Sequence, residues 1–453
     1  MVEDRAFETG APYIRFQQID TLRGFAVLGI YWINIFVFAL PALDYLFPPE
    51  LNDDSLINSM IGLVSDLYIE GTMRGLFSVL FGASALIFLD EARLATGGLD
   101  IVDRYYRRAM TLILFGIIHA YLLLWPYDVL YAYGLFGLFL FPLRKLPVKA
   151  LLICALVLLV MGDIEVDLTL GDDESISLSS NADVANDEEE AATNNQEIQN
   201  PSQDLNTILP APNTDENASG TPNQRVTEND VLEETRNELS PEIYLSSYSA
   251  IFVLQKSVVL IKQTMTIYED YIYDIGGMML LGMALFKMGL LTGQVSTQVY
   301  LLLTILGYMS GSAIRFLLDY ESLDLGPITN VTTGYNIGRV LITLGHIGLV
   351  GLLFHSRHFI IIKHGLASVG RMALTNYIMQ TVISIFLFYG FGFGLYASLE
   401  RYQLTLVCIG VWLFQVVYSN IWLSYFKHGP IEWIWRSMIY GSKQPLRKIT
   451  VNS

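Results

Sequence analysis

The chain has 453 residues, 53% of them hydrophobic and 16% charged, with a formal charge of −17. Soluble domains carry about 25% charged residues, so this composition excludes a large water-soluble core and favours apolar blocks long enough to cross a bilayer. The acidity is local: residues 163–242 hold 21 Asp/Glu against Arg225 and Arg236, a charge of −19, while the rest carries +2. Nothing provides the basic stripes of a nucleic-acid binder.

Apolar segments fall at 19–40, 72–90, 109–125, 128–142, 146–162, 271–291, 298–318, 335–354, 366–388 and 403–426. The fold expected is an all-α polytopic transmembrane bundle of about ten spans. Its N-terminal half is 1–162, an insert occupies 163–242, the C-terminal half is 243–426, and 427–453 is a tail. Residues 1–18 are polar and lead into a run without a cleavage site, so no signal peptide is expected.

The first span opens with Asp20-Thr21-Leu22-Arg23-Gly24. Asp20 and Arg23 are three apart, on one helix face, and can pair. Asn34 lies eleven residues after Arg23, about three turns, and returns to that face. Polar groups at membrane depth are costly and therefore candidates for function; an interfacial ion pair with a packing amide is the plainer reading. Glu70-Gly71-Thr72-Met73-Arg74 opens the second span, whose small residues suit close helix packing, as do Gly276, Gly277 and Gly282.

The third span carries His119, roughly 15 Å beyond Arg108 by helical rise. Asp128 follows at the turn Trp125-Pro126-Tyr127-Asp128, and a carboxylate orienting a mid-membrane imidazole makes a general base. A neutral histidine bonding a neighbouring helix is the alternative. The insert from Asp163 to about Ser240 is expected to be disordered, because it has too little apolar surface to offset its ordering entropy. Its Asp187–Glu190 run lacks EF-hand spacing, and Asn217-Ala218-Ser219 is a sequon only in a secretory-pathway host. The stretch 243–265, interrupted by Gln255, Lys256 and Lys262, is read as interfacial or packed against the bundle.

In the second half, His346 reads as a packing residue. His355, His358 and His364 with Arg357 and Lys363 read as an interfacial anchor rather than a metal site. Trp433 and Trp435 suit a headgroup belt. Cys154 and Cys408 lie in apolar runs and read as small buried hydrophobes.

Orientation follows from Lys and Arg near the span ends. Arg5 and Arg15, the group Arg93, Arg104, Arg107 and Arg108, then Arg144, Lys145 and Lys149, then Arg357 and Lys363, and finally the tail fall on alternate connections, hence one side. Asp44, Glu50, Asp53, Asp54, the insert, Asp319, Glu321, Asp324 and Glu400 fall on the other. Both termini are expected in the cytoplasm.

Several strings together carry a resemblance. Asp20-Thr-Leu-Arg-Gly-Phe-Ala, Leu76-Phe-Ser-Val-Leu-Phe-Gly, and His119 with Asp128-Val-Leu-Tyr-Ala-Tyr133 resemble the N-terminal half of the YeiB-like bacterial membrane proteins, the domain of unknown function 418. Gly370-Arg-Met-Ala-Leu-Thr-Asn-Tyr377, Gly429-Pro-Ile-Glu-Trp-Ile-Trp-Arg436 and Gln444-Pro-Leu446 resemble its C-terminal half. The family is distantly similar to the type-three O-acyltransferases and the heparan glucosaminide N-acetyltransferases, which start with Asp-x-Leu/Phe-Arg-Gly.

That similarity implies a bacterial inner-membrane protein moving an acyl group from cytoplasmic acyl-CoA to an extracytoplasmic or lipid-linked glycan or lipid acceptor. His119 would be the base, with Asp128, Asp20, Arg23 and Asn34 around it, and Arg104, Arg107, Arg108 and Arg371 would meet CoA phosphates. The pattern departs at one place: where the O-acyltransferases have a catalytic His eleven residues after the Arg, this chain has Asn34, and no His precedes His119. No resident cofactor or metal is implied. The alternatives are a proton-coupled or small-solute transporter and a noncatalytic membrane protein.

Overall fold

The computed structural model describes residues 16–41, 56–89, 91–162, 241–321 and 335–448. The chain divides into a unit of Met1–Asp167 with Leu239–Ser453 and a unit of Leu168–Glu238. All described residues belong to the first unit. The acidic insert as far as Ser240, the sequon, Asp44, Glu50, Asp53, Asp54, Asp324, Arg5 and Arg15 lie outside them.

Among the described residues the protein is all-helical. In chain order the helices are α1 (Gln17–Ala39), α2 (Leu56–Tyr68), α3 (Thr72–Phe88), α4 (Glu91–Ile117) and α5 (Leu130–Leu143), then α6 (Val148–Gly162). After a short turn of helix follow α7 (Tyr248–Thr266), α8 (Gly277–Lys287), α9 (Thr297–Glu321), α10 (Tyr335–His355), α11 (Ile360–Arg371), α12 (Ala373–Phe388), α13 (Arg401–Tyr425) and α14 (Pro430–Tyr440). Wider π-helical turns extend α4 over Ile118–Leu122 and join α7 to α8 over Ile267–Gly276.

Among the described residues five helical stretches are long and apolar enough to cross a membrane, six if the bent pair α7–α8 counts as one span. The apolar helices α5, α6 and α12 are shorter. Each of the ten expected segments falls largely on helix, but three boundaries differ. The second segment is the end of a 33-residue stretch from Leu56 to Phe88, because α2 continues through Gly71 at φ +68° into α3. The third is the end of a helix that starts at Glu91. The ninth is two helices, α11 and α12, interrupted at Met372.

Exposure distinguishes the outward faces from the interior. Leu302, Leu306, Met309 and Leu317 on α9, and Leu406, Leu413, Val417 and Ile421 on α13, are each more than half exposed. Apolar faces of that extent are tolerated where the surroundings are themselves apolar. Cys154 stands on such a face of α6 and is exposed, contrary to the buried place expected for it, whereas Cys408 is buried as expected. An apolar run marks a helix that contacts either lipid or protein, so the run alone does not assign the face. Helix α1 is interior: Leu22, Ala26, Val27, Tyr31 and Ile35 are fully buried.

Two close crossings set its surroundings. A Cβ added to Gly24 would lie 1.9 Å from the carbonyl oxygen of Leu366, and one on Gly370 would lie 1.9 Å from that of Asp20. Only glycine permits α1 and α11 to approach so near. The same device joins α3 and α8 through Gly82 and Gly282, the small-residue packing expected from the sequence.

Candidate functional site

The α1–α11 crossing brings two arginines together. Arg23 stands between Leu22 and the close-packed Gly24 on α1, and Arg371 immediately follows Gly370 on α11. Both line a cavity of about 240 Å³ with Arg108 of α4 and Arg436 of α14. Four guanidiniums from four helices therefore face one space, with a single carboxylate, Glu432, among the lining groups. The walls are aromatic and aliphatic: Phe77, Phe81 and Phe88 of α3, Tyr133 of α5, Tyr377 of α12 and Trp435 of α14 are among them.

Each arginine is held in its own way. Arg23 pairs with Asp20 at 3.4 Å and donates to the Ser84 hydroxyl. Arg108 donates to the Ser84 carbonyl at 3.4 Å, and its guanidinium lies 5.2, 5.6 and 5.4 Å from the rings of Phe81, Phe88 and Trp435. Such contacts orient a guanidinium through its faces. Arg371 donates to the Lys427 carbonyl at 3.3 Å. Arg436 lies over Tyr440, and its buried Nε has no hydrogen-bond partner among the described residues.

Helix α14 closes the cavity through a reciprocal cap. The Thr375 N–H donates to Glu432 Oε1 at 2.9 Å, and the Thr375 hydroxyl donates to Oε2. The same hydroxyl accepts from the Ile431 N–H at 3.1 Å. Each helix thus meets a donor in the other's first turn, where backbone N–H groups have no partner within their own helix. Burial raises the Glu432 carboxyl above its ordinary value, and the bonds from Thr375 oppose that shift only in part.

The residues singled out from the sequence separate into groups. Arg23, Arg108 and Arg371 line the cavity. Arg104 sits over the Tyr440 ring, 5.1 Å from its centroid, and the exposed Arg107 pairs with Asp103 at 2.8 Å. Asp20 stands behind Arg23, and Asn34 is half-buried farther along α1; neither is among the lining residues.

His119 and Asp128 do meet, Nδ1 to Oδ1 at 2.7 Å. The imidazole is fully buried, and its Nε2 is 2.8 Å from the Thr381 hydroxyl. Asp128 also accepts from the Tyr131 N–H at 2.9 Å, capping α5. Tyr377 lines the cavity and its ring lies tilted against this histidine, centroid to centroid 5.0 Å; His119 itself is not a lining residue.

Two lining residues, Arg436 and Glu432, carried no mark in the sequence as functional, although both lie in the string Gly429–Arg436. A second ionic centre was equally unmarked. Asp274 of the π-helical segment binds Arg74 of α3 at 2.6 Å and Arg339 of α10 at 2.7 Å, with Arg339 and Asp274 almost wholly buried. The signal available was a charge inside each of three apolar segments. His346 packs as expected, between the Tyr308 hydroxyl at 2.7 Å and the Tyr68 carbonyl at 2.8 Å. No group of three or more metal-ligating side chains occurs among the described residues.

Residues 285–442 match the family described as a protein of unknown function (DUF418). The chain is 28% identical over 443 residues to the uncharacterized protein YxaH of Bacillus subtilis (strain 168), covering 95% of this chain and 96% of that one. It is 29% identical over 445 residues to the uncharacterized protein YeiB of Escherichia coli (strain K12), covering 94% and 97%. An uncharacterized 39.9 kDa protein in the amylase 3' region of Bacillus acidopullulyticus is 43% identical over 81 residues, 18% of this chain and 23% of that one. No solved structure matches.

Proposed function

This chain belongs to the YeiB-like DUF418 family, and from that premise we propose that it is an inner-membrane protein that binds a phosphate-bearing acyl amphiphile, acyl-CoA foremost, at its cytoplasmic face. The observation carrying this reading is the convergence of Arg23, Arg108, Arg371 and Arg436 on one aromatic-walled cavity. Guanidinium forks match phosphate oxygens in pairs, and exclusion of water strengthens each contact. At about 240 Å³ the cavity is smaller than the roughly 300–1,000 Å³ usual for whole drug-sized ligands. It suits one end of a ligand, with the acyl chain continuing along apolar wall.

The proposed topology has about ten spans, counting the shorter helices α5, α6 and α12 and treating α11–α12 as one segment, with both termini cytoplasmic. The cavity then opens on the side where the basic connections collect. Acyl transfer to a glycan or lipid acceptor is the proposed reaction, with His119 as base. To act there, His119 must exchange its Thr381 bond for one to the acceptor and gain access past Tyr377. The transport reading draws on the buried Arg74–Asp274–Arg339 centre, since ionisable groups at membrane depth often mark a solute path.

Purified full-length protein in nanodiscs should bind palmitoyl-CoA, and Arg108→Gln should weaken that binding at least tenfold. With an acceptor-containing membrane extract, thioester consumption should disappear in His119→Ala while binding persists. Absence of palmitoyl-CoA binding would remove acyl-CoA as the ligand and acyl transfer with it. Undiminished turnover by His119→Ala would remove only the base.

A further inference from the structure

We infer that the cavity discriminates by charge, seating a phosphomonoester, which is close to doubly ionised at neutral pH, in preference to a singly charged phosphodiester. This rests on the reading above and adds the class of head group. Four guanidiniums and one carboxylate line the space, and Asp20 adds a second carboxylate behind Arg23. These six groups together hold two more cations than anions. A phosphomonoester carries about −1.5 to −2 at pH 7 and three terminal oxygens; a diester brings one charge and two terminal oxygens.

Geometry points the same way. Arg23 and Arg108 are tethered to the same residue, Ser84, one through its hydroxyl and the other through its carbonyl, so they approach the space from one wall. Arg371 and Arg436 come from α11 and α14. Glu432 does not act as a mobile counter-ion, because both its oxygens accept bonds from Thr375. A group with three equivalent oxygens can engage donors from several directions at once, whereas a diester turns two of its oxygens into ester links.

A phosphomonoester joined to an apolar body has two sources: the ribose phosphate of a CoA thioester, or the head group of a lipid phosphate. Binding to the full chain in neutral-lipid nanodiscs is measured with palmitoyl-CoA against palmitoyl-dephospho-CoA, and with phosphatidic acid against phosphatidylglycerol. At least tenfold preference for the monoester in either pair supports the inference, and the pair that shows it identifies the source. Equal binding within each pair, with measurable affinity, overturns it while the proposed function stands. No binding of any of the four overturns both. Arg436→Gln should reduce the preference to under threefold, with the weaker member of the pair little changed. If that variant does not fold, Arg23→Gln serves the same comparison, and a preference retained in the variant tested overturns the assignment.

Discussion

Adding one methyl group at Gly370 tests whether the α1–α11 contact positions the cavity. The new Cβ would stand 1.9 Å from the Asp20 carbonyl oxygen and 2.7 Å from the Gly24 nitrogen. Ordinary carbon–oxygen contacts begin at about 3.3 Å, so the helices must separate by more than about 1 Å to admit it. The obstructing atoms are backbone and cannot rotate away. Overpacking costs about 1–3 kcal/mol in typical cores, and this site belongs at the upper end. Arg371 is the next residue, and Arg23 is three residues from Asp20, so both lining guanidiniums move with the backbone. Losing one charged hydrogen bond to a ligand is worth about 1.5–3 kcal/mol, tenfold or more in affinity.

Gly410→Ala is the matched control, since nothing lies within 4 Å of a Cβ there. It sits mid-helix on α13, where alanine should be neutral or slightly stabilising. The assay is thermal unfolding of detergent-solubilised protein together with palmitoyl-CoA binding. Gly370→Ala should unfold several degrees below Gly410→Ala and bind at least tenfold more weakly. Equal unfolding temperatures and equal affinities would refute the reasoning.

Other outcomes follow from the remaining charges. Asp274→Asn leaves Arg339 buried without its carboxylate and should cost about 3–5 kcal/mol, read as loss of folded protein on size-exclusion chromatography; a monodisperse variant of unchanged unfolding temperature contradicts this. Because the Glu432 carboxyl is raised, the folded state releases its proton at a higher pH than the unfolded chain does. Its contribution to stability is therefore full below the unfolded pKa and declines as pH rises through the folded one. Wild type should lose stability over that rise relative to Glu432→Gln, and parallel pH profiles count against the shift. In a chain lacking Cys154 and Cys408, Ser247→Cys should react with an impermeant maleimide in intact cells, whereas Ser442→Cys should react only after permeabilisation; the reverse pattern would invert the topology.

Helical segments were legible because apolar length is a local property. Pairings were legible only where spacing alone brought groups together. His119 and Asp128 are nine residues apart across one turn, and Asp20 and Arg23 three apart on one helix, and both pairs form. Thr381 at His119 Nε2 is 262 residues distant, and no local pattern announces it. Trp435 lines the cavity, a place no local pattern announces, and Glu432 and Arg436 beside it share that wall. Their place depends on Thr375 capping α14 from another helix. The π-helical turn that holds Asp274 is likewise set by packing against Arg74 and Arg339, which come from opposite halves of the sequence.

The two ionic centres differ in a way that bears on function. At Asp274 two guanidiniums close on one carboxylate at 2.6 and 2.7 Å, and the anion that gathers them is part of the chain. In the cavity four guanidiniums line a space, and the carboxylate beside them has both oxygens engaged by Thr375. Of those four, Arg23 also pairs with Asp20 at 3.4 Å, so the cavity gathers its cations around a space rather than around one carboxylate of the chain. Tyr133 connects the two places: it lines the cavity, while its hydroxyl donates to the Arg74 carbonyl at 3.1 Å and accepts from the Ser78 hydroxyl at 3.0 Å. Tyr133→Phe removes that hydroxyl and no charge. It should lower the unfolding temperature by loosening α3 near Arg74, yet leave the ratio of palmitoyl-CoA to palmitoyl-dephospho-CoA affinity unchanged. A ratio that collapses in this variant would show that the selectivity comes from the polar contacts of α3 and not from the arginines on the cavity wall.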